Sequence, residues 1–405
     1  MKHRNIHSEE EHIIFHIDVN SAFLSWSALK LLGEGAAVDL RTVPAIVGGD
    51  QKTRHGIVVA KSIPAKAFGI HTAETVASAL KKCPDLVMVP PDHAYYREKS
   101  RRLMAYLSEI CPQIEQVSID ECYMDYEPIR GKYGTPEETA AFLKDSVCEK
   151  FGFTVNVGVS DRKVLAKMAS DFKKPNLVHT LYVREIEKKL WPLPIDSLHM
   201  CGKSSAALLK KMGIRTIGDL AQTDLTMVES WLKSHGRLLW EYANGVDDSA
   251  VVSQPAKAKG VGNSTTISHD VTTAKEAYEI LRKLAESVSG RLKKKKFLAR
   301  QVSTEIKYAT FQSVSHQTTL LSATADAQEI YRQACGLFDE LWDGGAIRLL
   351  GIRTTKLENE GEPVQMNLFD FQKEKESSEK QKRLDEALKK IRDRYGEEAV
   401  QKGCQ

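Results

Sequence analysis

Paired cysteines are missing: the 405 residues hold seven Cys, and no two stand as Cys-x-x-Cys. That excludes the common zinc-binding spacings and any obvious disulfide framework, so a reducing cytoplasm is the expected setting. Long apolar runs are absent too, and none approaches the ~20 residues needed to cross a bilayer, so no membrane partner is expected. The first residues are polar, with His3, Arg4 and Glu9 to Glu11, and do not read as a secretory leader. Nor does either charge sign dominate. Lys and Arg number 58 against 54 Asp and Glu, and a net +4 identifies no partner by itself. What remains is a 42% hydrophobic chain, long enough for about two to four globular domains.

Val117 to Tyr126 carries apolar and aromatic residues that suit a strand buried against a sheet, yet Ser118-Ile119-Asp120-Glu121 places two carboxylates in it. A buried unpaired charge costs several kcal/mol, so a strand there calls for a cation, and hard oxygen ligands suit Mg²⁺. The dipeptide alone reads more readily as an exposed turn. Neighbouring strand residues face opposite sides, so both acids reach one site only at a bend or a strand end. A third acid, Asp18, lies in a second short apolar run, Ile13-Ile14-Phe15-His16-Ile17-Asp18-Val19-Asn20, just before a helical pattern. Two such strands can gather three carboxylates around two metal ions about 4 Å apart, able to activate a hydroxyl and neutralise a departing pyrophosphate.

Asp18-Val19-Asn20-Ser21-Ala22-Phe23 and Ser118-Ile119-Asp120-Glu121 together resemble the two catalytic motifs of the Y-family, lesion-bypass DNA polymerases. The resemblance covers roughly residues 12 to 357 and implies an α+β multidomain fold. It predicts a palm with helices on a mixed sheet (11–22 and 88–178), fingers (23–87) and a helical thumb (179–248). A linker (249–259), a separate α/β little finger (260–357) and a flexible tail (358–405) follow. By the same resemblance Asp18, Asp120 and Glu121 are catalytic, and with the Val19 carbonyl they hold two Mg²⁺ ions. Phe23 is the ring beneath the incoming sugar, although an ordinary core Phe on a first helical turn fits the same position. The substrates implied are primer–template DNA and dNTPs, copied by a monomer; no third run of acidic motifs remains to build a proofreading exonuclease, so none is expected.

Along the chain, Leu24 to Leu32 reads as a helix, then Val43 to Val47 and Gly56 to Ala60 as strands. Lys61 to Gly69 falls where the family holds the triphosphate. Many bacterial members have Tyr and Arg where Ile63 and Lys66 stand here. Lys66 can keep a point charge on phosphate, but Ile63 donates no hydrogen bond. Lys66 in this frame also resembles the UmuC branch, and a solvated surface Lys is the bland alternative. Tyr95 to Ile110 is amphipathic, Pro136 to Phe151 helical, and Phe153 to Val159 a buried strand; the order predicts a sheet with helices on one face. Gly158 to Asn176 resembles the family block that closes the palm, with Lys174 approaching the triphosphate. Arg162 departs from the usual Asn, and Lys163 and Lys167, four apart on a helix, read as a solvated basic face.

Residues 179–248 read as short helices, and Cys201-Gly202-Lys203 with Gly213-Ile214 resembles a helix-hairpin-helix whose Gly202 and Lys203 hold a DNA phosphate; a purely structural turn fits as well. Met200 stands where that motif usually has glycine. From Lys257 to Lys307 there are twelve Lys or Arg against five Asp or Glu, and Lys293, Lys294, Lys295, Lys296 and Arg300 are the expected duplex contacts, unless the run is only a solvated face. In the polar tail, Gln365, Leu368 and Phe369 of Gln-Met-Asn-Leu-Phe resemble the peptide that docks bacterial polymerases on the β sliding clamp. Two rivals remain open at this point. A palm-type nucleotide cyclase would share the acids without needing the basic domain, and a non-catalytic DNA-bound scaffold would need no acids in this register.

Overall fold

In the computed structural model, which describes residues 12–49, 56–254 and 257–360, the apolar run that carries Asp18 is strand β1 (Ile14–Val19). Helix α1 (Ala22–Gly33) follows it directly. Next come β2 (Ala45–Gly48), β3 (Val58–Lys61), the short helices α2 (Ile63–Ala67) and α3 (Val76–Lys82), and β4 (Val87–Val89). These strands form a small sheet of order β3-β2-β4. Because β4 pairs in parallel with β2, the expected boundary between fingers and palm at residue 88 falls inside a strand of the fingers sheet.

The palm continues with α4 (His93–Ile110), β5 (Ile114–Gln116), β6 (Glu121–Asp125), α5 (Pro136–Phe151), β7 (Val155–Ser160), α6 (Lys163–Ser170) and β8 (Val178–Thr180). Their sheet runs β5-β6-β1-β7-β8, antiparallel except for the β7–β8 pair. Local chemistry sets the ends of α5: Thr135 and Glu138 form a capping box, and Gly152 closes the helix at φ 73°.

Strand β1 is buried on both faces, which is why it reads as a nearly continuous apolar run. Phe15, Ile17 and Val19 pack with Leu103 and Leu107 of α4 and Leu143 and Val147 of α5. Ile14, His16 and Asp18 alternate to the other side, where Ile14 meets Ala166 of α6 and His16 meets Ser170. So helices cover both faces of the palm sheet, not one as the element order suggests. Gly158 of β7 makes the close approach of α6 feasible: a Cβ there would lie 1.9 Å from the Ala166 carbonyl oxygen.

The segment read as a linker is partly seated on this second face. Val251 is buried against Ile14, Tyr123 and Ala166, and the Val252 N–H donates to Glu115 Oε2 at 2.7 Å. Helices α7 (Ile186–Lys189), α8 (Lys203–Lys211), α9 (Ile217–Gln222) and α10 (Leu225–Ala243) make the thumb, and their core includes Val164, Leu165 and Met168 of α6.

The second unit spans the described residues from 257 onward. It contains β9 (Gly260–Val271), α11 (Ala274–Lys294), β10 (Phe297–Tyr308), β11 (Ser313–Thr324), α12 (Ala327–Leu341) and β12 (Ile347–Asn359). The antiparallel sheet runs β11-β10-β12-β9, and α11 and α12 bury Val302, Ile306, Leu350 and Ile352 on one face. This is the βαββαβ order expected from the sequence. No helix among the described residues is long and apolar enough to cross a membrane.

The contact at Gly158 leads to a prediction. Gly158→Ala should destabilise the first unit by about 3 kcal/mol, because backbone atoms of α6 would have to move. Chemical denaturation followed by tryptophan fluorescence checks this, and a loss below about 0.5 kcal/mol would contradict the close packing.

Candidate active site

Antiparallel pairing of β1 with β6 sets Asp18 directly opposite Glu121. Both side chains point to the α6 face. Asp120 precedes β6, in an irregular bend with Ser118 and Ile119, and Val117 is 50% exposed. The expected single strand from Val117 to Tyr126 is therefore corrected to a strand that begins at Glu121. That bend lets both neighbouring acids serve one site, as strand alternation would not. The Val19 N–H donates to the Asp120 carbonyl at 3.0 Å, and the Ser118 hydroxyl donates to Asp120 Oδ1 at 2.6 Å.

Two lysines answer the acids. Lys174 Nζ lies 2.9 Å from Asp18 and 2.8 Å from Asp171, while Lys167 Nζ of α6 lies 2.5 Å from Glu121 Oε2. Burial pushes the Asp18 carboxyl above its usual range, and Lys174 offsets only part of that. Glu121 goes the other way: His16, 3.4 Å away, and Lys167 overcome its burial and hold it at about 2. His16 is wholly buried, with Nδ1 2.8 Å from Ser170 Oγ. Lys163 is also drawn inward, 2.7 Å from Glu115 and donating to the Ala250 carbonyl at 3.1 Å. The expected solvated face of Lys163 and Lys167 is thus corrected: both lysines are ion-paired on the palm sheet. Lys167 is the member of the site that sequence reasoning missed, since its partner lies 46 residues away.

Beside the acids opens a cavity of about 490 Å³, lined among others by Phe23, Lys61, Lys66, Thr72, Asp120 and Lys174. The structure thereby brings together the predicted Phe23, Lys66, Lys174 and one of the three acids. Phe23 stacks on Tyr96 of α4, ring centroids 4.6 Å apart and planes 10° from parallel. Tyr96 is fully buried, and its hydroxyl lies 2.6 Å from Ser27 Oγ, so the ring under Phe23 is held from both ends. The apolar stripe of the Tyr95–Ile110 helix is the signal that could have identified Tyr96. Lys66 sits on α2, whose first turn is capped by Ser62 accepting from the Ala65 N–H at 3.1 Å.

The carboxylates fit a hard divalent cation by donor type and by the cost of their burial. Their ligand atoms are not drawn within 4.8 Å of one another, as those of His12, Asp125 and Glu127 are at the far end of the same strands. That second group is already satisfied as structure: His12 pairs with Asp125 at 2.9 Å and Arg130 with Glu127 at 2.6 Å.

The expected DNA contacts lie elsewhere. Gly202 caps α8 and Lys203 is its first residue, exposed; Met200 takes φ 69°, the left-handed conformation for which a glycine is usual. Lys293 to Lys296 are all exposed at the C-terminal end of α11 and the turn after it. Arg300 is corrected: it pairs with Glu358 at 2.7 Å and donates to the Leu321 carbonyl at 3.0 Å, tying β10 to its neighbours. Gln365, Leu368 and Phe369 lie outside the described residues.

Residues 17–171 match the impB/mucB/samB family, and residues 258–368 match that family's C-terminal domain. A DNA polymerase IV of Clostridium acetobutylicum is 41% identical over 389 residues, covering 96% of both chains. DNA polymerase IV 1 of Bacillus subtilis is 36% identical over 395 residues, 97% of this chain and 92% of its own. A solved Y-family DNA polymerase chimera shares the fold, with TM-score 0.76 at 22% identity over 85% of this chain and 99% of that one.

Proposed function

The chain belongs to the impB/mucB/samB family and is a DNA-directed DNA polymerase of the DNA polymerase IV branch; from that membership we propose translesion synthesis with low fidelity, low processivity and no proofreading. The observation that carries the reading is the register of Asp18 against Glu121, with Asp120 in the bend just before β6 and the cavity that Phe23 lines. Asp18, Asp120, Glu121 and the Val19 carbonyl would hold two Mg²⁺ ions. When bound, such ions supply charge neutralisation and lower the pKa of the primer 3′ hydroxyl that attacks the α-phosphorus.

The remaining work falls to the protein's own groups. Lys66 and Lys174 offset the charge of the triphosphate as pyrophosphate departs. Phe23, braced by Tyr96, excludes a ribose 2′ hydroxyl by filling the space it would need. Gly202, Lys203 and Lys293 to Lys296 hold DNA phosphates, and their contacts carry no sequence preference. Gln365, Leu368 and Phe369 dock on the β sliding clamp, raising the local concentration of an enzyme that leaves its template readily.

Primer extension with Mg²⁺ tests the reading and separates it from a cyclase or a scaffold. Asp120→Asn should lower extension about a hundredfold or more while primer–template affinity changes little. Near-normal turnover in that variant would remove Asp120 from the site.

Phe23→Ala should raise ribonucleotide insertion relative to deoxyribonucleotide insertion by about tenfold or more. Unchanged discrimination in an active variant would place the gate elsewhere.

Replacing Leu368 and Phe369 together by Ala removes apolar burial on the order of 3 kcal/mol. Clamp-stimulated synthesis should vanish, with clamp-free extension and melting temperature unaltered. Retained stimulation with lost stability would mean that the two residues dock on the polymerase itself.

A further inference from the structure

Three ammonium groups line the nucleotide cavity, and their surroundings differ. Lys174 is shared between Asp18 and Asp171. Lys66 has no hydrogen-bond or ion-pair partner among the described residues. Lys61, the last residue of β3, has one: it donates to Thr72 Oγ1 at 3.3 Å. Ile63, 59% exposed on the same wall, offers neither charge nor hydrogen-bond donor.

This arrangement places two like charges on one wall of the cavity. Burial and the neighbouring Lys66 charge hold the Lys61 ammonium below the usual lysine range against the opposing pull of Glu74, and no carboxylate among the described residues pairs with it directly. A polyanion entering the cavity would offset the repulsion between the two ammonium groups. Thr72 adds a second element. Its oxygen accepts from Lys61, which leaves the hydroxyl hydrogen for an acceptor in the cavity. A neutral donor and a cation are thus held side by side, on the wall where the Ile63 side chain offers neither.

We propose that Lys61 and the Thr72 hydroxyl it anchors form an additional binding point for the polyphosphate of the incoming nucleotide, beside Lys66. The proposal rests on the polymerase reading above. It gives a role to Lys61, which lies in the segment already read as phosphate-binding but was assigned none, and to Thr72 outside that segment, and it makes nucleotide affinity in this chain depend on β3 as well as on α2.

Single-nucleotide insertion kinetics on a primer–template, with the full chain, test it. Lys61→Met should raise KM for the dNTP about tenfold or more, and Thr72→Val about threefold, with kcat within about threefold of the parent. Lys61→Arg, which keeps the charge, should recover most of the loss. A phosphate-specific readout accompanies these: the inhibition constant of inorganic triphosphate should rise in step with KM in Lys61→Met, while primer–template affinity stays unchanged. An unaltered KM in Lys61→Met overturns the proposal, and so does a raised KM with triphosphate inhibition unaltered. A parent chain that extends no primer overturns the polymerase reading instead, a result distinct from any of the variant comparisons.

Discussion

Holding carboxylates on the buried side of a sheet is the constraint on which the first unit depends. Asp18 and Glu121 face α6 across β1 and β6, where an uncompensated charge would cost several kcal/mol. Lys167 meets Glu121 from α6, and Lys174 meets Asp18 from just beyond that helix. For this to work α6 must lie almost on the strands, and Gly158 removes the side chain that would keep it away. The same helix supplies Leu165 and Met168 to the core of the thumb. One eight-residue helix therefore joins countercharge, sheet packing and domain packing.

The second face of the palm sheet is completed by residues that look like a tether in sequence. Val251 fills the space between Ile14, Tyr123 and Ala166, and Glu115 accepts from both Lys163 and the Val252 N–H. A single carboxylate thus anchors a helix and an irregular segment together. It satisfies a buried lysine that would otherwise be as costly as the acids beside it.

What could be read from the sequence was local. Asp18 and Glu121 stood out because acids interrupt apolar strands, and the helices of both units follow periodicity and capping residues such as Thr135 and Glu138. Errors arose where a distant partner decides the outcome. Val117 and Ile119 look like strand residues, but pairing with β1 begins only at Glu121. Lys163 and Lys167 share a helix face as expected, yet their acids come from strands 48 and 46 residues away. Arg300 resembles its basic neighbours until β12 folds back and brings Glu358 beside it. Tyr96 was visible only as one more apolar position of a helix. Nothing in the structure explains Arg162 in place of the more usual Asn.

The alternation of β1 carries a consequence for how this gene can vary. Phe15, Ile17 and Val19 belong to one core, while His16 and Asp18 belong to the site face, within a strand of six residues. Inserting or deleting a single codon there would exchange the two sets, sending an acid into the core and a core residue to the site. Length changes in this strand cannot yield a folded but inactive protein; they remove fold and chemistry together. Substitutions can part the two functions, so drift in this stretch is confined to replacement at fixed length.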